Sequence, residues 1–501
     1  MSRGELREYA VSVFVLVACL LWACAYVQAE DWPQFRGPGF RAESSETDWQ
    51  AVWNETPPMW KANVYSGFSS VAVVDGLVYT QGATRLRGEE REALREKFPE
   101  LKPTGRHYLF CLDAATGEER WRTQLDVNRY KRGPLATPAV ADGRVFAYGP
   151  FGKLAACDSR TGKVLWQRDL IEELGCLGVR DGIASSPVVH EGKVLLHVRM
   201  PGENYDPEKG WKQPSLMHCI AFDTKTGEEV WRSKGYKAVG QRGHSAGTWS
   251  SPAYMELEGT PTLVCYIGNA VVGLAPEDGS ERWHCDLKKL FPDVGGHHYS
   301  SFWPLQVGDD SFTCQIWNDR PDQNDRSRAC LLRINEGQPE LVWENDDLAV
   351  QISNYTVWDG YIYAMDTSMG ENSRRKRQDL GQLQCLDVET GELMWHTSDF
   401  YDPAIDRKFN REDADNAPTW LIVDGKIIIW DRVQIIIGEV SPEGYKRLTA
   451  FRPEDGRPGK TWAAMAFSDG RLFVRSGGTL YGIDLRTKKA RNETSKSAPP
   501  N

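Results

Sequence analysis

Along most of the chain, short runs of alternating apolar residues are interrupted by Asp-Gly. Examples are Val71-Ala-Val-Val-Asp-Gly-Leu-Val-Tyr79, Pro138-Ala-Val-Ala-Asp-Gly-Arg-Val-Phe146 and Trp358-Asp-Gly-Tyr-Ile-Tyr363. Leu421-Ile-Val-Asp-Gly-Lys-Ile-Ile428 and Phe467-Ser-Asp-Gly-Arg-Leu-Phe473 repeat the pattern. Period-two alternation on both sides of Asp-Gly predicts a β-hairpin, because the central residues of such a turn need positive φ.

A second signal follows most of these hairpins. Asp113-Ala-Ala-Thr-Gly-Glu-Glu-Arg-Trp121 recurs as Asp158-Ser-Arg-Thr-Gly-Lys-Val-Leu-Trp166, Asp223-Thr-Lys-Thr-Gly-Glu-Glu-Val-Trp231 and Asp387-Val-Glu-Thr-Gly-Glu-Leu-Met-Trp395. Degenerate copies keep Gly279 with Trp283, or Trp343 alone, and another has Gly444 with Leu448 in the Trp slot. In each copy Asp and Thr can hydrogen-bond the turn backbone, and Gly supplies the positive φ. The Trp then opens the next strand with a large flat face to set against a neighbouring sheet.

Two hairpins per repeat give four antiparallel strands, A to D from the inside outward, which is one blade of a propeller. Strand A is predicted to begin near Ser70, Pro138, Pro187, Pro252, Trp303, Tyr355, Thr419 and Trp462. The fold is therefore all-β, an eight-bladed propeller. After the last Asp-Gly hairpin comes a third strand, Thr479–Asp484, with no Trp strand behind it. Met59-Trp60-Lys-Ala-Asn-Val64 is an orphan strand of D type before the first strand A. Joining the two would close the ring and leave no open terminal sheet. Trp60, Trp121, Trp166, Trp231, Trp283, Trp343 and Trp395 are the expected docking residues between blades.

Strand order also predicts two unlike faces. The Asp-Gly turns join A to B and the Thr-Gly turns join C to D, so both lie on one face and are short. The B–C loops and the crossovers from D to the next A lie on the other. The long insertions fall in B–C loops: Gln81–His107, whose Arg85–Phe98 part has helical, charged character, then Arg199–Pro214, Asn318–Ala329 and Asp366–Gln382. Long loops on a rigid scaffold carry recognition. The crossovers bring polar and aromatic residues to the channel mouth on that face, and Arg242, His244, Trp249, His297, His298, Asn354 and Asn416 are the candidate ligand-binding residues. Ser185, Ser186, Ser250 and Ser251 read as hydrogen-bonding the crossover backbone. His297 and His298 are adjacent, so on a strand they point to opposite faces, and no metal site is predicted. Arg374–Arg377 is a basic run that reads as a solvated loop.

The 501 residues carry a formal net charge of -10, which excludes a nucleic-acid partner of the usual kind, and the 19 Trp fit a residue recurring at a fixed position. The N-terminus reads as an export signal. Arg3 and Arg7 precede an apolar run, Ala10–Tyr26, and Val27-Gln28-Ala29 offers small residues for cleavage. The run is short for a bilayer span, which needs about 20 residues. Two alternatives remain open: an uncleaved anchor, and lipidation at Cys19 after Leu16-Val17-Ala18. The expected organisation is signal 1–29, lead-in segment 30–58, propeller 59–485 and polar tail 486–501, with export to the periplasm or beyond. Two of the 11 Cys lie in the signal, and no Cys-x-x-Cys or Cys-Cys occurs, so the remainder read as buried structural thiols. There is no phosphate loop, nucleophile elbow or His-Glu-x-x-His, and no catalytic residue is assigned.

The Asp-to-Trp repeat resembles the quinoprotein propeller family, whose docking motif is Ala-x-Asp-x-x-Thr-Gly-x-x-x-Trp. The likeness covers roughly Trp60 to Asp484, although the leading Ala is kept only at Ala221. Trp32-Pro-Gln-Phe-Arg-Gly-Pro38 is similar to the start of exported bacterial members, and Trp32 and Arg36 are expected to tie that segment to the propeller. The resemblance implies one of two functions. One is a non-catalytic binding or assembly scaffold, like the eight-bladed lipoprotein of the outer-membrane barrel assembly machinery, with a protein or small-molecule ligand on the B–C loop face. The other is a dehydrogenase using pyrroloquinoline quinone and calcium. Such enzymes typically carry a vicinal Cys-Cys disulfide, a calcium site of Glu, Asn and Asp, and a catalytic Asp. This chain has no Cys-Cys and no ligand set that can be assigned residue by residue, so the scaffold is the expected function.

Overall fold

The computed structural model describes residues 30–97, 103–128, 133–178, 183–206, 215–237, 249–267, 270–292, 302–316, 328–346, 348, 350, 355–365, 382–405, 418–453 and 462–497. It contains eight β-sheets, each built on four antiparallel strands. Strand A of successive blades runs over Ala72–Val74, Ala139–Ala141, Val188–His190, Ala253–Leu257, Gln306–Val307, Thr356–Trp358, Thr419–Val423 and Ala466–Ser468. Two sheets gain a strand. In blade 3, Tyr236–Lys237 pairs with strand C, and in blade 7, Glu43–Ser44 of the lead-in lies parallel to strand A.

The ring closes with Met59–Asn63 paired antiparallel to Thr479–Asp484, Trp60 opposite Gly482. The last blade thus takes its outer strand from the beginning of the chain, and unfolding either end opens the ring.

The repeat works as a dock between neighbours. In each full copy the Asp carboxylate accepts the backbone N–H of the Thr three residues on, as Asp158 does from Thr161 at 2.8 Å, which rigidifies the turn. The same bonds hold the Asp158 and Asp223 carboxyls below the usual carboxylate range. The Trp of one blade then lies over the turn Gly of the next and donates its indole N–H to a nearby carbonyl. Trp60 bonds Ala114 O, Trp121 bonds Ser159 O, Trp166 bonds Thr224 O, Trp231 bonds Pro276 O, Trp343 bonds Val388 O and Trp395 bonds Ser441 O. Trp283 instead stacks on Phe312 of blade 5. Gly117 has φ 75°, and a Cβ there would lie 2.4 Å from the Trp60 ring, so two independent constraints select glycine.

Blade 7 has Leu448 where its Trp would be, and the lead-in covers that seam. Gln50 N–H donates to Leu485 O, and Thr449 Oγ1 donates to Trp53 O. The tail forms a helix, Lys488–Ser497, whose Arg491 guanidinium lies 5.2 Å from the centre of the Trp53 ring. In the first B–C insertion a helix spans Gly88–Lys97, with Glu89 and Glu90 in its first turn and Arg95 and Lys97 in its last, as the helix dipole favours.

Candidate binding face

The channel ends are unlike. At the A–B turn end, the lead-in crosses from blade to blade along the inner strands. Trp32 forms a two-way backbone bridge with Val73 of blade 1, and Val140 of blade 2 donates to Pro33 O. Phe35 and Phe40 pack on Trp303 of blade 5, with ring centroids 4.8 and 5.7 Å apart. Glu43–Ser44 extends blade 7, and Glu46 accepts the N–H groups of Asp469 and Gly470 in the blade 8 turn. Burial pushes the Glu46 carboxyl up, against the lowering effect of those bonds.

Arg36 reaches farthest. It is buried, its φ is 63°, and its guanidinium donates to Phe40 O, Arg41 O and Tyr355 O at the head of strand A in blade 6. Burial lowers its pKa to about 9, so at neutral pH it is a buried cation held by carbonyl dipoles. Trp32 and Arg36 therefore fasten the segment to the propeller, and the segment fills the A–B turn end of the channel.

A second set of buried polar side chains clamps each blade to the next, and the repeat does not reveal it. On strand B of blade 8, Arg475 donates to Ser69 O, Thr80 Oγ1, Gln81 O and Tyr65 O of blade 1. Burial lowers its pKa to about 9. At the equivalent place in blade 1, Gln81 donates to Ala136 O of blade 2 at 2.7 Å and accepts from His107 Nε2 at 2.9 Å. In blade 3, His197 Nδ1 meets Ser250 O of blade 4 at 3.1 Å, and in blade 5, Gln315 donates to Val350 O. Each is one polar residue in an otherwise apolar strand, counted the same way past the A–B turn in blades 1, 3 and 8. That was the signal available in the sequence.

At the opposite end the heads of the inner strands are tied by hydroxyls. Ala464 N–H donates to Ser70 Oγ, Thr137 N–H to Ser186 Oγ and Ser186 N–H to Ser251 Oγ, at 2.7, 2.9 and 2.6 Å. Ser250 Oγ donates to Tyr266 O, and Ser185 Oγ accepts from His197 N–H. These serines serve the backbone, as expected. Phe68 and Trp462 stack at 4.6 Å beside them.

Of the candidate ligand-binding residues, Trp249 is half-buried at the crossover into blade 4, next to Ser250. Arg242, His244, His297, His298, Asn354 and Asn416 lie outside the described residues, as do Arg374–Arg377 and most of the three later B–C insertions.

A calcium-assisted quinone needs several oxygen ligands around one ion, carboxylates among them. The described residues do not supply that cage. Their buried carboxylates are Glu46, Asp126 and Asp431, which come from the lead-in, strand D of blade 1 and the B–C turn of blade 7. Glu46 holds the blade 8 turn, Asp126 pairs with Lys153 at 3.5 Å, and Asp431 accepts from Val433 and Gln434 N–H. The one three-residue grouping with metal-ligand geometry among the described residues contains no carboxylate. The heads of the inner strands present Ser, Ala, Thr and aromatic side chains.

Fold and repeat together define an eight-bladed propeller of the pyrroloquinoline-quinone-like repeat class. The chain belongs to the family described as "Outer membrane protein assembly factor BamB", whose model matches residues 105–397. Among curated proteins it is similar to the dehydrogenase subunit of a quinone alcohol dehydrogenase from Gluconacetobacter polyoxogenes, 24% identical over 72% of this chain and 46% of that one. It also matches the quinohemoprotein alcohol dehydrogenase ADH-IIG of Pseudomonas putida, 22% identical over 55% of this chain and 33% of the relative. The chain spans about a third to a half of the length of these relatives. Among solved structures, the quinohemoprotein alcohol dehydrogenase of Comamonas testosteroni superposes with a TM-score of 0.58 at 14% identity, covering 91% of this chain and 81% of that one. That likeness establishes the fold. No helix among the described residues is long and apolar enough to cross a membrane.

Proposed function

We propose that the protein is an exported binding or assembly scaffold whose partner docks on the face bearing the B–C loops and crossovers. The observation that carries this reading is the lead-in, which occupies the A–B turn end of the channel from Trp32 to Glu46 and leaves the other end for recognition. The channel mouth near Trp249, with Arg242, His244, His297, His298, Asn354 and Asn416, is the proposed centre of that face. The net charge of -10 favours a protein or small-molecule partner over nucleic acid. Export rests on the apolar run behind Arg3 and Arg7.

The second reading, a quinone-dependent dehydrogenase, is favoured by the names of the curated relatives. One experiment separates the two. Purified protein is mixed with pyrroloquinoline quinone and calcium, and its absorbance and melting temperature are recorded. The scaffold reading expects no bound quinone and no shift, whereas a tight cofactor would raise the melting temperature by mass action. In parallel, deleting Arg87–Glu96 is expected to abolish partner cross-linking in cell-envelope extract while the melting temperature stays within a few degrees. Quinone-dependent dye reduction by the intact chain would contradict the scaffold.

A further inference from the structure

Three soft or borderline ligand atoms meet between blades 3 and 4. His197 on strand B of blade 3 stands directly opposite Cys219 on strand C, so their side chains leave the same face of the sheet. Cys265 approaches from strand B of blade 4. One imidazole nitrogen and the two sulfurs all lie within 4.8 Å of one another, and all three side chains are 0% exposed.

The imidazole is set as a ligand. Nδ1 carries the proton, because it faces the Ser250 carbonyl at 3.1 Å, an acceptor only. Nε2 therefore presents its lone pair, and it is buried with no hydrogen-bond partner. A buried acceptor left unsatisfied costs about 1–3 kcal/mol, a penalty a bound ion would remove. Metal-binding histidines typically donate their other ring N–H to a carbonyl or carboxylate in this way, which fixes tautomer and ring orientation. The neighbouring backbone is equally fixed, since Ser185 Oγ accepts from His197 N–H and Ser233 Oγ from Cys219 N–H.

We infer that His197, Cys219 and Cys265 form a buried site for one cuprous ion. Two sulfurs and one imidazole are the soft donor set that selects monovalent copper over calcium or magnesium. Structural zinc takes four protein ligands, and catalytic zinc keeps a position open to water. Here there are three donors in a fully buried setting, which suits a three-coordinate soft ion. Ligands about 2.0–2.3 Å from a common ion stand about 3.5–4 Å apart, so small side-chain rotations close the observed spacing. Each thiol that binds gives its proton to solvent, so affinity rises with pH. Blade 5 offers an internal contrast: Cys314 and Cys330 are also directly opposite across strands B and C, without an imidazole in the group.

The test uses the full chain with its thiols reduced and counted. It is incubated anaerobically with Cu(I) against a chromophoric Cu(I) chelator, and retained copper, near-ultraviolet thiolate-to-copper absorbance and melting temperature are measured. One equivalent is expected to be retained, with a raised melting temperature. Cys219→Ser/Cys265→Ser should lose that equivalent, Cys314→Ala/Cys330→Ala should keep it, and His197→Gln should weaken it by about 10-fold or more. If the double serine variant does not fold, Cys265→Ala and His197→Gln carry the test, since each changes one donor. The assignment is overturned if the folded protein retains no Cu(I), or if retention is unchanged in the variants. It is also overturned if Zn2+ displaces Cu(I) at the site, or if Cys219 and Cys265 are joined as a disulfide in freshly isolated protein.

Discussion

The outer wall of the propeller and its central channel are built by different rules. Around the outside, one device is repeated: an Asp-braced turn, a glycine under an indole, and an N–H to carbonyl bond into the next blade. Around the channel each junction is solved separately, by a guanidinium at Arg475, an amide at Gln81 and Gln315, an imidazole at His197, and hydroxyls at Ser70, Ser186 and Ser251. The outer device needs only flat apolar area and one donor, so any blade can carry it. The inner strands face a narrow space shared with the lead-in, where each blade meets different atoms.

The contrast predicts a difference in tolerance. Arg475→Ala should have the largest effect, about 4–5 kcal/mol, because it leaves several buried acceptors around one vacated position without a donor. Arg475→Lys should recover only part of that, since one ammonium has fewer donors than a guanidinium. Denaturant unfolding of the three proteins checks this, and equal stability of all three would mean that the clamp contributes nothing. On the outer wall, Trp343→Ala should cost about 3–4 kcal/mol, from the lost ring over Gly391 and the lost bond to Val388 O. A loss under 1 kcal/mol would show that the repeated dock is dispensable.

How much of this was legible follows the same division. The blade count and the strand from Met59 that completes the last sheet were readable, because turn chemistry and alternation are local. The expected link between lead-in and propeller was carried by Trp32-Pro-Gln-Phe-Arg-Gly-Pro38. Its path down the channel was not, since Arg36 and Glu46 bond to backbone groups that no side-chain pattern announces. The clamps left a faint trace as polar residues inside apolar strands. Pairing His197 with Cys219 required the exact register of strands B and C, and bringing Cys265 to them required the packing of two blades.

The smallest predicted effect concerns pH and again separates the regions. Burial lowers the His107 pKa to about 3, so the folded protein keeps this imidazole neutral. Unfolded, it takes up a proton below its ordinary value near 6.5. The unfolded state therefore binds more protons as pH falls through 6.5 toward 3, and stability is lost in that window. Between pH 7 and 5 the loss from this one group is about 2 kcal/mol. His107→Gln should flatten the dependence of the urea midpoint by that amount, and an unchanged slope would locate the acid sensitivity elsewhere. The turn carboxylates of Asp158 and Asp223, held low, lose their contribution only at more acidic pH.

The central claim is that the lead-in is an integral part of the channel and closes one end of it, which directs recognition to the other. Native-state hydrogen exchange at the amides of Trp32, Ala42, Ile422, Asp424 and Gly470 tests it most directly, because each of them donates across the lead-in contact. The account predicts protection of these amides comparable to that of strand B amides such as Ile428, lost together when the blades unfold. Exchange of the same five amides within seconds, while the blades remain protected, would contradict it.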